Sequence, residues 1–143
     1  MSCVLALDVG GKRTGMAVSD EQRIFAFPLN TVATDILLPE IRKILLERSI
    51  SAIVVGIPAN LRNEETDGTK MALKVKEMLK REFPAMDISG IDERFTSRLA
   101  RQALFAGGMK KNDRKKKENT DKVSAALILQ SFLEQQAFHK KDK

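Results

Sequence analysis

Three acidic positions, at Asp8, at Asp92–Glu93 and at Asp121, are the places in this 143-residue chain where side chains could combine to do chemistry. Asp8 interrupts an otherwise apolar run, Cys3-Val4-Leu5-Ala6-Leu7-Asp8-Val9, which Gly10 and Gly11 close. Such a run reads as a central strand covered on both faces. Alternation puts Asp8 on the face of Val4 and Ala6, at the strand's C-terminal end. A carboxylate there is costly unless a cation, a metal or hydrogen-bond donors satisfy it. Two readings stay open on this stretch. Asp8 is a metal-holding carboxylate beside Lys12 and Arg13, or it caps the glycine turn. Asp92 and Glu93 directly follow a short predicted strand, Asp87–Ile91. Asp121 falls with Ala125, Ile128 and Phe132 at i, i+4, i+7 and i+11, on the buried stripe at the start of the last helix. A helix dipole, worth roughly 0.3–1 kcal/mol, accounts for an acid at a helix start but not for its inward position.

Carboxylates meeting at one rim suit a hard divalent cation such as Mg²⁺, which prefers oxygen ligands and leaves positions for phosphate and water. Two such ions about 4 Å apart can activate a water and stabilise the leaving oxygen of a phosphodiester. No Ser/His/Asp or Cys/His set competes, because the single histidine, His139, lies in the C-terminal tail. Neither a P-loop nor a G-x-G-x-x-G motif occurs.

The elements that must position these acids follow from apolar spacing and breakers. Cys3–Asp20 reads as a tight hairpin, and Arg23–Phe27 as a third strand stopped by Pro28. A helix follows from about Ile36 to about Arg48, since Pro39 is tolerable only in a first turn. Ser51–Ile57 is a second buried strand, parallel to the first, followed by the loop Ala59–Asp67. Met71, Val75, Met78 and Leu79 mark a helix that ends before Pro84. After the strand Asp87–Ile91 comes a third helix, about Ser97–Ala106, ended by Gly107-Gly108. The last helix takes Thr120 as N-cap and runs to about Phe138. This order predicts an α/β fold, a five-stranded mixed sheet with helices on both faces. The C-terminal ends of its parallel strands form one rim, where open sheets hold their ligands.

Composition narrows the function classes. Hydrophobic content of 43% and charged content of 31% fit a globular chain with a real core, one domain over 1–138 with a basic tail at 139–143. No stretch is apolar enough to span a bilayer, and no secretory signal opens the chain. With the lone Cys3 this predicts a cytoplasmic protein without membrane partners. The net charge of +6 favours an anionic partner. Residues 110–117, KKNDRKKK, hold six Lys and Arg and predict a mobile basic loop over 109–119 that contacts a nucleic-acid backbone. Without Trp or Tyr a base-stacking platform is not expected, so contacts should be to phosphate and shape.

The stretches LALDVGGKRTGMAVSD, VVGIPAN, IDERFTSRLA and TDKVSAALILQSFL resemble, in order and over nearly the whole chain, the motifs of the YqgF/RuvX family. These RNase H-like proteins are described as Holliday-junction resolvases and as pre-16S rRNA processing nucleases. The resemblance implies an RNase H-like sheet of order 3-2-1-4-5. It also implies that Asp8, Glu93 and Asp121 are the catalytic acids and bind Mg²⁺ or Mn²⁺. Lys12, Arg13, Arg94, Arg114, Lys115, Lys116 and Lys117 would contact substrate phosphates. Two departures stand out. Related junction resolvases carry a catalytic glutamate at the end of the fourth strand, where this chain has Gly56-Ile57-Pro58. Glu93 must then serve from the next strand, roughly two strand spacings or about 10 Å from Asp8 before side-chain reach. The loop Asn60–Thr69 is also unusually acidic, with Glu64 and Glu65.

The expected activity is metal-dependent endonucleolytic cleavage at the 5′ end of pre-16S rRNA, with ribosomal precursor particles as partners and a monomer or weak homodimer as the working form. Two alternatives remain at this point: a resolvase of branched DNA, which needs a dimer, and a non-catalytic RNA- or ribosome-binding module of the same fold. A sugar-kinase-like phosphotransferase is disfavoured by length, because that fold needs a second domain.

Overall fold

A computed structural model describes residues 2–58, 66–93 and 117–141, the last stretch with side chains at 122–137. Strands β1 (Cys3–Val9), β2 (Arg13–Ser19) and β3 (Ala26–Ala33) come first. A 3₁₀ turn, Thr34–Ile36, then leads into helix α1 (Leu37–Glu47). Strand β4 (Ile50–Ile57), helix α2 (Asp67–Glu82), strand β5 (Asp87–Asp92) and helix α3 (Lys117–Lys141) follow. The sheet order is β3-β2-β1-β4-β5. The first three strands are antiparallel neighbours, and β4 pairs in parallel with both β1 and β5. This is the five-stranded mixed sheet that the element order predicts, in the 3-2-1-4-5 order that the family resemblance implies.

The central strand β1 is apolar on both faces because both are covered. Leu5, Leu7 and Val9 pack with Ile53 and Val55 against Leu37, Ile41, Val75 and Leu79 of α1 and α2. Val4 and Ala6 lie on the other face with Ala17, Ala52 and Val54, under Ala125, Ile128, Leu129 and Leu133 of α3. The two faces differ in side-chain size. Leucine and isoleucine fill the α1/α2 side, while alanines on the α3 side leave room for the helix to lie close to the sheet.

Local signals set most of the boundaries. Thr66 caps α2: the Thr69 N–H donates to Thr66 Oγ1 at 3.2 Å and the Thr66 N–H donates to Thr69 Oγ1 at 3.0 Å. Such a reciprocal box satisfies two of the helix's unpaired donors. Pro39 is the third residue of α1, within the first turn.

Two expectations are corrected. Pro28 does not stop the third strand, for β3 runs through it to Ala33. Edge strands tolerate proline because they lack one neighbour, and the pair Ala17↔Pro28 adjoins a register shift in the ladder. Thr120 is not an N-cap, because α3 begins three residues earlier, at Lys117, and ends at Lys141 rather than Phe138. The helix predicted over 97–106 and most of the basic loop at 109–119 lie outside the described residues.

Gln130 fixes α3 to the sheet. It is only 3% exposed, and it accepts from the Ala26 N–H at Oε1 (2.9 Å) and donates from Nε2 to the Ile24 carbonyl (3.0 Å). One amide side chain thereby satisfies two backbone groups at the entry to β3 and sets where the helix lies along its own axis. Gln130→Leu leaves both groups without partners, at about 1–3 kcal/mol each. Scanning calorimetry should then record a fall in Tm on the order of 5–10 °C. A shift below about 2 °C would mean that water replaces the clamp.

Candidate active site

The turn between β1 and β2 holds Lys12 and Arg13 at the rim. The Gly10 N–H donates to the Arg13 carbonyl at 2.9 Å, and a β-carbon on Gly10 would come within 2.6 Å of that same oxygen. Only glycine closes this turn without a clash. Thr34, in the 3₁₀ turn after β3, ties it down. Its hydroxyl donates to the Gly10 carbonyl at 2.6 Å, and its N–H donates to the Lys12 carbonyl at 3.0 Å. The fully buried Thr14 hydroxyl lies 3.0 Å from Thr34 Oγ1, which it can reach as donor. Lys12 is exposed and Arg13 half-buried.

Asp8 stands one residue before the end of β1, on the α3 face, opposite Gly15 of β2. On its other side, the pair Leu7↔Val55 puts Gly56 of β4 next in register. Both lateral neighbours of Asp8 thus lack side chains. Glu93, the residue after β5, extends into the gap over β4. A β-carbon at Gly56 would lie 2.6 Å from Glu93 Oε1, 3.2 Å from Glu93 Cγ and 2.6 Å from Ile128 Cδ1. The Glu93 carboxyl reaches Asp8 and hydrogen-bonds to it. The long separation expected from strand spacing therefore holds for the backbone only, because the glutamate side chain spans the intervening strand where that strand is bare.

This placement has an electrostatic consequence. Burial, then the charge of Asp8 and the hydrogen bond to it, then the charge of Asp92, raise the Glu93 pKa from 4.5 to about 8. Near neutral pH the pair therefore holds a shared proton. Glu93 Oε1 and Ser131 Oγ are buried without a hydrogen-bond partner among the described residues. Asp92 pairs with Ile57 and alternates to the other face from Ile91 and Glu93, so it acts on the pair through its charge.

The other expected site residues are only partly placed. Position 121 is the fifth residue of α3, seven residues or roughly 10 Å along the helix before Ile128. Its side chain, like that of Lys117, lies outside the described residues, as do Arg94, Arg114, Lys115, Lys116, Glu64 and Glu65. Among the described residues no three His, Cys, Asp or Glu side chains form a metal-holding group, so the acids present there are a pair. Gly56 is the feature that reading the residues missed. Its signal was the absence of an acid at the end of β4 together with an acid one strand over.

The family model for RuvX, described as Holliday junction resolvase, matches residues 2–135. This chain belongs to the RuvX family. A relative from Phocaeicola vulgatus named "Putative pre-16S rRNA nuclease" is 41% identical over 138 residues, covering 96% of this chain and 99% of its own length. One of the same name from Amoebophilus asiaticus is 42% identical over 133 residues, covering 93% and 94%. Among solved structures, T. thermophilus RuvC in complex with Holliday junction substrate has the same fold. Its TM-score is 0.63 at 16% identity, over 95% of this chain and 97% of that one. The Fowlpox virus resolvase in complex with Holliday junction DNA gives 0.57 at 11% identity, over 94% and 98%. The chain therefore has the RuvC-like, RNase H-like fold. Among its described residues no helix is long and apolar enough to cross a membrane.

The Asp8–Glu93 pair suits a hard cation. It presents oxygen donors only, one of them buried and without a partner among the described residues, and its two carboxyls are close enough to need either a proton or a cation between them. The sign of the pH effect follows. Between 4.5 and about 8 the folded chain keeps a proton on Glu93 that the unfolded chain has released. Metal-free stability from this group is therefore greatest at low pH, falls across that window and levels off above it. The Tm of wild type minus that of Glu93→Gln should become more negative from about pH 5 to about pH 9. A difference that does not change with pH would mean that no proton is shared.

Proposed function

We propose that this RuvX-family chain is a divalent-metal-dependent endonuclease that hydrolyses phosphodiester bonds in structured RNA, with the 5′ end of pre-16S rRNA as its substrate. The observation that carries the reading is the Asp8–Glu93 carboxyl pair, brought together across Gly56, with Glu93 Oε1 buried and without a hydrogen-bond partner among the described residues. Nuclease chemistry agrees with the family and with the names of the relatives, and the rRNA substrate is taken from those names.

Asp8 and Glu93 would hold Mg²⁺ or Mn²⁺, with Asp121 as the third acid brought by α3. The bound cation supplies positive charge that polarises the phosphate and lowers the pKa of an attacking water. Glu93 would serve in its deprotonated form, completing the oxygen set and orienting the attacking water. Arg13, held at the rim by the Thr34-braced turn, and Lys12 position the scissile phosphate. Arg94 and the basic run with Arg114, Lys115, Lys116 and Lys117 extend the contact along the backbone, an ionic attachment that weakens with salt. Such a protein works in the cytoplasm on ribosomal precursor particles, as a monomer or weak homodimer. The described elements and the basic segment between them act as one domain.

A second reading, cleavage of branched DNA, is favoured by the family description and by the fold shared with junction-bound resolvases. Titrating Mn²⁺ or Mg²⁺ against a labelled precursor-rRNA fragment and a four-way DNA junction in parallel separates the two. The RNA should be cut. Asp8→Asn and Glu93→Gln should each lower the cleavage rate by at least roughly 100-fold while leaving binding in place. Cutting of the junction alone would transfer the assignment to DNA. Binding of both without cutting would make the chain a non-catalytic RNA-binding module.

A further inference from the structure

We infer that Gly56 is a positioning residue of the acidic site, the opening in β4 through which a glutamate carried by β5 is delivered to the aspartate of β1. The inference rests on the metal-dependent reading above and extends it to a residue that has no side chain to offer the metal or the substrate.

The requirement at Gly56 is for room, not for backbone freedom. Gly56 lies in the β4 ladder opposite Ile91, with φ outside the left-handed region, so any residue could adopt its backbone conformation. What forbids a side chain is the pair of atoms resting on it. A β-carbon would approach Glu93 Oε1 and Ile128 Cδ1 to 2.6 Å each, closer than such contacts occur. Both are the far ends of flexible side chains. The fold can therefore yield to an alanine by turning those side chains aside, but the site cannot, because Glu93 has no other route from β5 to Asp8. Side-chain length matters for the same reason. An aspartate at 93 keeps the charge and loses the methylene needed to cross β4.

Gly90, in the neighbouring strand, provides a contrast. A β-carbon there would crowd Ile57 Cγ1 at 3.0 Å and touch neither acid. Its substitution perturbs the packing of the same sheet without obstructing the acid pair.

The test is the affinity of the full-length chain for Mn²⁺ alone, read by electron paramagnetic resonance, beside Tm and cleavage. Wild type should bind Mn²⁺. Gly56→Ala should stay folded and bind Mn²⁺ on the order of 10–100-fold more weakly, with cleavage falling in parallel. Gly90→Ala should bind as wild type does. Gly56→Ala combined with Ile128→Val removes one of the two clashes. It should recover Tm and leave Mn²⁺ binding weak, a split that a merely structural role would not give. Glu93→Asp should lose binding as Glu93→Gln does, which tests the reach across β4 even if Gly56→Ala fails to fold. Wild-type affinity in Gly56→Ala or in Glu93→Asp, alongside weak binding in Glu93→Gln, would overturn the inference. Wild-type affinity in Glu93→Gln would instead remove the metal reading on which it stands.

Discussion

Two carboxyl groups held within hydrogen-bonding distance in a half-buried site are the constraint on which the rest of this structure depends. Like charges so placed are not stable as two anions, so the pair must share a proton or hold a cation. The raised pKa of Glu93 is the form this tension takes in the metal-free chain. Relieving the tension with a cation instead of a proton couples metal loading to deprotonation, as expected for any site whose ligands must be anionic. Structural stability is thereby given up at the one place where chemistry needs it, a common arrangement in active sites.

Bringing these two groups together is a task for the sheet. Asp8 belongs to the central strand and Glu93 to the strand two places away, so the strand between them must be bare at that level. The parallel pairings of β1 with β4 and of β4 with β5 put Gly56 there. The α3 face is accordingly built from small side chains, Ala6, Ala17 and Ala52, with glycines beside Asp8. A helix can then lie close above the acids and bring position 121 along the same axis. Leucine, isoleucine and valine pack the opposite face under α1 and α2. Both faces of the sheet carry core, and the α3 face also carries the site.

Two braces keep that geometry from drifting. Thr34 holds the glycine turn that carries Lys12 and Arg13, and Gln130 holds α3 at the opposite end of the sheet from the acids. Neither residue lies among the acids, yet each locates one wall of the site. Polar side chains that satisfy buried backbone groups do this well, because their hydrogen bonds fix direction and distance where apolar packing fixes only proximity.

The sequence by itself determined a five-stranded mixed sheet, the two-sided burial of β1 and the candidacy of Asp8, the Asp92–Glu93 pair and Asp121, while the order 3-2-1-4-5 and the choice of Glu93 came from the family resemblance. Those features rest on local periodicity, glycine and proline punctuation, and motifs that run in one order along the chain. It misjudged Pro28 as a strand stop, because whether proline is tolerated depends on a strand's position in the sheet, which no local pattern encodes. It placed the start of α3 at Thr120 because a good capping residue stands there, although the helix continues back to Lys117. The separation of Asp8 and Glu93 was legible as a backbone distance only, before side-chain reach. Only the tertiary structure decided that they meet, since the answer turns on an absent side chain in a third strand. That cross-strand vacancy comes from register among residues far apart in sequence, and register exists only once the chain has folded.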